Sequence, residues 1–212
     1  MNKIVLKDVS KTIKGVEILS ELNQEFVGGK IYGLCGSNGS GKTMLLRLIA
    51  GLIRPSKGEI LVDDKILHKD IDFPANMGVM IENPEFWPYY TGKEALESLA
   101  AINKKIDDKE IDFALEKVGL QANDKRTIKK YSLGMKKRLG IAQAVMEKPE
   151  LLLLDEPTNA IDKKGVELVL KLISEEKDNH KIIILASHNK SDLEICDVIL
   201  EVDEGKILGE LQ

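Results

Sequence analysis

Gly36-Ser37-Asn38-Gly39-Ser40-Gly41-Lys42-Thr43 joins a glycine-rich loop to a lysine and a hydroxyl residue. That pattern, G-x-x-x-x-G-K-[ST], suits one chemistry, the cradling of a chain of phosphates. The loop's backbone N–H groups wrap the anion, Lys42 reaches the β- and γ-phosphates, and the Thr43 hydroxyl binds Mg²⁺. A second candidate is Asp155-Glu156, directly after Leu151-Leu152-Leu153-Leu154. An apolar strand ending in Asp sets a carboxylate at the sheet edge beside the phosphate loop, where it holds Mg²⁺ through a water. Adjacent residues leaving a strand point apart, so Glu156 faces the attacking water and is the candidate general base. Each motif alone is ambiguous: one is a glycine-containing turn, the other a solvated acidic turn. The surrounding elements decide.

Ile31-Tyr32-Gly33-Leu34-Cys35 reads as a short buried strand, and Leu45, Leu48, Ile49 and Leu52 follow at helical spacing. The loop therefore lies between strand and helix, with the helix N-terminus turned to the negative charge. Upstream, Ile4-Val5-Leu6, Val16 to Leu19 and Asn23 to Val27 read as three short strands, closed by Gly28-Gly29. Gly58 to Asp64 and Met77 to Ile81 are further strands. From 83 to 148 the pattern turns helical: Leu96, Leu99 and Ile102 share a face, as do Ile111, Leu115 and Val118, and Leu139, Ala142 and Met146. Leu151 to Leu154 and Ile182 to Ala186 are continuous apolar runs, as parallel strands buried on both faces require. Val166, Val169, Leu170 and Ile173 mark a covering helix between them, and Val198 to Val202 with Lys206 to Leu208 form a hairpin turned at Asp203-Glu204-Gly205. The expectation is one α/β domain, its core lobe at 1–82 and 149–212, interrupted by a helical insertion at about 83–148.

A chain of 212 residues, 43% hydrophobic and 31% charged, can bury a full core. Its net charge of −4 does not suggest a nucleic-acid-binding face, and Lys129-Lys130 with Lys136-Lys137-Arg138 form only a local basic cluster. Two cysteines, Cys35 and Cys196, make no disulfide framework and read as reduced residues of a cytosolic protein. No apolar run approaches membrane-spanning length and the N-terminus is not a signal peptide, so direct membrane insertion is not expected. Work at a membrane would need another chain.

The phosphate loop, Leu151 to Glu156, Pro157-Thr158, Asn159-Ala160-Ile161-Asp162 and Ser187-His188 together resemble the ATP-binding subunit of an ABC transporter, in that family's order and over nearly the whole chain. The resemblance implies a P-loop NTPase core, a mainly parallel sheet flanked by helices, with an N-terminal antiparallel β portion and an inserted helical subdomain. It implies ATP and Mg²⁺ as cofactors, with Gly36 to Met44 around the nucleotide and Thr43 and Asp155 at the metal. His188 resembles the switch histidine that contacts the γ-phosphate and the catalytic carboxylate, so Glu156, His188 and Lys42 form the expected catalytic set. Tyr131-Ser132-Leu133-Gly134-Met135 stands where the family's L-S-G-G-Q stands, which makes Ser132 and Gly134 the cap on a second copy's nucleotide. Asn159 to Asp162 resembles the D-loop linking two composite sites, whereas His68 and His180 have no such context and read as surface residues.

Two positions depart from the family pattern. A Gln that ligates Mg²⁺ is replaced in Ile81-Glu82-Asn83-Pro84 by Glu82, a harder ligand with the same reach; a plain surface carboxylate is the alternative. Ile13 falls where an aromatic residue stacks on adenine, and an aliphatic side chain packs there without π overlap, so similar use of GTP and ATP is expected. Phe86, Trp87, Tyr89 and Tyr90 cluster directly after Glu82, either as anchors for a membrane subunit or as packing at the hinge between lobes. Residues 81–91 and 131–139 resemble the bacitracin- and lantibiotic-resistance branch of ABC exporters, in which the ATPase is a separate chain. The function implied is an ATP-hydrolysing motor, a homodimer or heterodimer of ATP-binding subunits, driving a separate integral membrane permease from the cytoplasmic face. A soluble ABC-type ATPase in an assembly role, a P-loop kinase or GTPase, and a degenerate nucleotide-binding scaffold are the rival readings.

Overall fold

The computed structural model describes residues 1–178 and 180–211. β1 (Lys3–Ile13) and β2 (Val16–Val27) make a long antiparallel hairpin. β3 (Lys30–Cys35) leads into α1 (Lys42–Ile49), after which β4 (Lys57–Val62) and the short β5 (Lys65–Ile66) extend the hairpin's sheet. β6 (Met77–Met80) precedes α2 (Gly92–Asn103), α3 (Asp108–Lys117) and α4 (Leu133–Val145). β7 (Leu151–Asp155), α5 (Lys163–Glu175), β8 (Ile182–Ser187), a 3-10 stretch at Lys190–Ile195 and the hairpin β9 (Val198–Asp203) and β10 (Lys206–Leu211) complete the described chain.

The smaller sheet is antiparallel, in the order β2-β1-β4-β5. The larger runs β10-β9-β3-β8-β7-β6 and is parallel except at β10. Parallel pairing puts the C-terminal ends of β3, β6, β7 and β8 at one edge, with Cys35 opposite Ser187 and Asp155 opposite Ala186. That edge is where open α/β sheets bind ligands.

The continuous apolar runs are explained by burial on both sides. Leu152, Leu154, Ile183 and Leu185 face α2, α3 and α4, while Leu151, Leu153, Ile182 and Ile184 face α1 and the smaller sheet. Four helices begin on a side-chain cap: Thr91 and Asp107 form capping boxes with Glu94 and Glu110, and Ser132 and Asp162 each accept a first-turn N–H.

Three sequence expectations change. Val16 to Val27 is one strand of 12 residues, because pairing with β1 continues across a register shift at Val9↔Leu22 and overrides the polar break at Ser20-Glu21. Ile102 does not share the buried face of Leu96; it is 75% exposed at the end of α2. His68 is half-buried, with its Nε2 3.2 Å from the Ile53 carbonyl. No helix among the described residues is long and apolar enough to cross a membrane.

Candidate functional site

Unlike the other four helices, α1 has no side-chain cap. Its N-cap is Gly41 at φ 109°, a left-handed position that glycine takes without steric cost. The first-turn amides thus stay open to an anion. Lys42 is buried and folds back over the loop, its Nζ donating to the carbonyls of Gly36 at 2.7 Å and Ser37 at 2.9 Å. Ser37, Asn38 and Gly39 are exposed at the loop's rim, and Met44 lines the cleft beside Thr43.

The carboxylates arrive from β7. Asp155 is buried, and its Oδ2 accepts from the Thr43 hydroxyl at 2.8 Å. Burial pushes its carboxyl above the ordinary aspartate range; the Thr43 hydrogen bond opposes this, and the neighbouring Glu156 charge adds to it. Glu156 takes a left-handed backbone (φ 47°), and its N–H donates to the Ala186 carbonyl at 2.8 Å. Glu156 Oε1 accepts from the His188 N–H at 3.2 Å and lies 2.9 Å from His188 Nδ1. Glu82 projects from the loop after β6, where its Oε1 pairs with Arg47 Nη2 at 2.6 Å.

These groups surround a cleft of about 350 Å³ lined by Asn38, Lys42, Thr43, Glu82, Asp155 and Glu156 among others. Three buried oxygens in this region have no partner among the described residues: Ser40 Oγ, Asp155 Oδ1 and Glu156 Oε2. Buried polar atoms in folded proteins are as a rule satisfied, so three of the five orphans among the described residues gathered at one site call for a ligand, an ion or water. A hydroxyl beside a carboxylate with a free oxygen is a hard donor set that suits Mg²⁺.

The residues picked from the sequence do not all meet here. Ser132 and Gly134 do not line this cleft; Ser132 is exposed, caps α4 through the Met135 N–H at 3.2 Å, and sits beside Leu133, which is 51% exposed. Ile13 stands 39% exposed at the far end of β1 and does not line this cleft, whereas Ile18 does. Of the four clustered aromatics, Phe86 packs against the core, whereas Trp87 is 75% and Tyr89 74% exposed.

Other residues near the site carried no motif. The basic cluster at 136–138 is not a surface patch: Lys137 is buried, and Arg138 Nη1 donates to the Val118 and Gly119 carbonyls. Burial holds the Lys137 ammonium below the ordinary lysine range, the Asp155 and Glu156 charges acting in the other direction. Asp192, fully buried, accepts from the Thr158 hydroxyl and from Ser187 Oγ at 2.9 Å, tying the loop after Glu156 to the strand end that carries His188. Its only trace in the sequence is its place four residues after His188.

Comparison with known proteins matches this arrangement. A sequence profile described as "ABC transporter" matches residues 19–159. The chain belongs to that family. The "Uncharacterized ABC transporter ATP-binding protein YybJ" of Bacillus subtilis (strain 168) is 46% identical over 205 residues, covering 96% of this chain and 94% of YybJ. The bacitracin transport ATP-binding protein BcrA of Bacillus licheniformis is 38% identical, covering 96% of this chain and 68% of its own length. The lantibiotic transport ATP-binding protein SrtF of Streptococcus pyogenes is 34% identical, covering 97% and 89%. The dimeric ATP-binding cassette MJ0796, in a post-hydrolysis state bound to ADP and Pi, shares the fold with a TM-score of 0.88 at 23% identity, covering 99% of this chain and 98% of that one. This ABC cassette is accordingly an ATP-binding subunit and an ATPase of α/β P-loop fold, with its phosphate loop and β7 carboxylates within the profile's span.

Proposed function

We propose that two copies of an ATP-binding subunit, this chain with itself or with a close relative, close head to tail on two MgATP and drive a separate membrane permease from the cytoplasmic face. The placement of Ser132 and Gly134 outside their own chain's cleft carries this reading. A serine at a helix N-terminus, set outside its own chain's cleft, suits the γ-phosphate of a nucleotide held across an interface. The relatives BcrA and SrtF, named for bacitracin and lantibiotic transport, support export of antimicrobial peptides as the work being powered.

Within each composite site, Lys42 exchanges two loop carbonyls for β- and γ-phosphate oxygens. Thr43, Asp155 and Glu82 would hold Mg²⁺, which neutralises charge on the leaving phosphates when bound. Glu156 accepts the proton of the attacking water through its unpartnered Oε2, while His188 holds Oε1. Loss of the proton lets the water oxygen bond to the γ-phosphorus as the bond to the β-phosphate oxygen breaks. Trp87 and Tyr90, exposed in the lining of a groove of about 610 Å³ between the loop after β6 and α2, suit the docking of the permease.

The decisive variant is Glu156→Gln. It should bind ATP, lose turnover and accumulate as a dimer on size-exclusion chromatography with MgATP. A monomeric wild type hydrolysing at full rate at concentrations where no dimer forms would refute the reading.

A further inference from the structure

We propose that Lys137 is a positioning residue of the ATPase site, holding the backbone of Glu82 and of Asp155-Glu156 to the helix whose first turn carries Ser132 and Gly134. The Lys137 side chain is 4% exposed, and its Nζ donates to the carbonyls of Glu82 at 3.2 Å, Glu156 at 3.3 Å and Asp155 at 3.5 Å. An ammonium has three donors and no acceptor, and burial is tolerable only when those donors are matched. Here all three go to backbone positions of residues whose side chains line the cleft.

Two of those positions are strained. Glu82 and Glu156 both adopt the left-handed region, at φ 64° and 47°. A non-glycine residue there is strained and persists only where its surroundings over-determine it. Nothing in a glutamate's own backbone favours that conformation, and one ammonium binds the carbonyls of both. The strain is also what aims the carboxylates: a peptide that relaxed at either position would carry Glu82 or Glu156 out of the cleft.

The N-terminal part of α4 therefore has two duties. Its N-terminal turn presents the cap for a second copy's nucleotide, and little more than one turn later Lys137 grips the loops of its own site. A shift of α4 on closure is passed to Glu82 and Glu156 through hydrogen bonds, so engagement of one composite site conditions the general base of the other. This connection is separate from the link that the family resemblance implies for residues 159–162.

The test uses the full chain and the variants Lys137→Met, which keeps length without donors, and Lys137→Gln, which keeps two donors without charge. Nucleotide affinity is read with a fluorescent ATP analogue, and turnover as kcat and KM. A positioning role predicts that Lys137→Met loses about tenfold or more in kcat, with analogue affinity within about twofold of wild type. Lys137→Gln should recover most of that loss. A Met variant with wild-type kcat, a loss confined to KM, or equal impairment of both variants would overturn the proposal. Should Lys137→Met not fold, Lys137→Gln decides by its residual loss: a kcat about two- to threefold below wild type at unchanged affinity supports positioning, and wild-type kcat or a loss confined to KM overturns it.

Discussion

His188 meets Glu156 twice, its backbone N–H at 3.2 Å and its Nδ1 at 2.9 Å from the same carboxylate oxygen. One oxygen is thereby fixed and the other left for water. Glu156→Gln should lower kcat by about 10²- to 10⁴-fold, the range for loss of a general base. His188→Ala acts through the same carboxylate, so the double variant should be little worse than Glu156→Gln alone. Steady-state turnover of the four proteins checks this, and losses that multiply would show the two residues act independently.

Gly36 is required by close approach. A Cβ there would stand 2.1 Å from the Val202 carbonyl oxygen and 2.7 Å from Ser40 Oγ. β9 cannot retreat without losing its pairing to β3. Gly36→Ala should cost about 1–3 kcal/mol of stability, the range for overpacking, measured by urea denaturation without nucleotide. Wild-type stability with weakened ATP binding would instead confine the effect to the loop.

Arg47 would compete with a bound Mg²⁺ for the Glu82 carboxylate. Their 2.6 Å pair is partly exposed, and such pairs contribute at most about 1 kcal/mol, which a divalent ion can outbid. Arg47→Ala should lower the Mg²⁺ concentration for half-maximal turnover. Glu82→Gln should keep substantial activity and Glu82→Ala should reduce it. An unchanged Mg²⁺ titration in Glu82→Ala would remove Glu82 from the metal site.

Trp87 should bind a partner rather than support the fold. At 75% exposure its loss should change stability by less than about 0.5 kcal/mol, as for surface substitutions generally. Trp87→Ala should keep nucleotide affinity and co-purify less with a membrane permease. Unfolding of the variant would return the aromatic cluster to the hinge.

Cys196 gives a pH signature. Burial, with the charges of Asp197 and Asp192 adding to it, pushes its thiol from 9.0 up to about 12. The folded state keeps a proton that the unfolded chain releases, so this contribution is complete below pH 9.0 and is lost as pH rises toward about 12. Its slope is at most about 1.4 kcal/mol per pH unit. The stability difference between wild type and Cys196→Ala should therefore shrink between pH 8 and about 10.5. A pH-independent difference would mean Cys196 contributes by packing alone.

The primary structure by itself determined the phosphate loop, the leucine run into Asp155-Glu156, and the strand ending in Ser187-His188. These are local patterns, because a β-turn-α unit and a doubly buried strand impose their spacing on adjacent residues. Family resemblance extended them to Ser132 and Gly134. The tertiary structure alone decided which polar groups lie inside. Lys137 reads locally as part of a basic cluster, and Asp192 as one carboxylate in a polar turn; both become buried only when α4 and the segment after β8 pack under the strand ends. Pairing also merged two expected strands into β2, and put Ile18 at the cleft. The reason is distance along the chain: Thr43 and Asp155 are 112 residues apart, and only the parallel order of β3, β8 and β7 brings them to 2.8 Å.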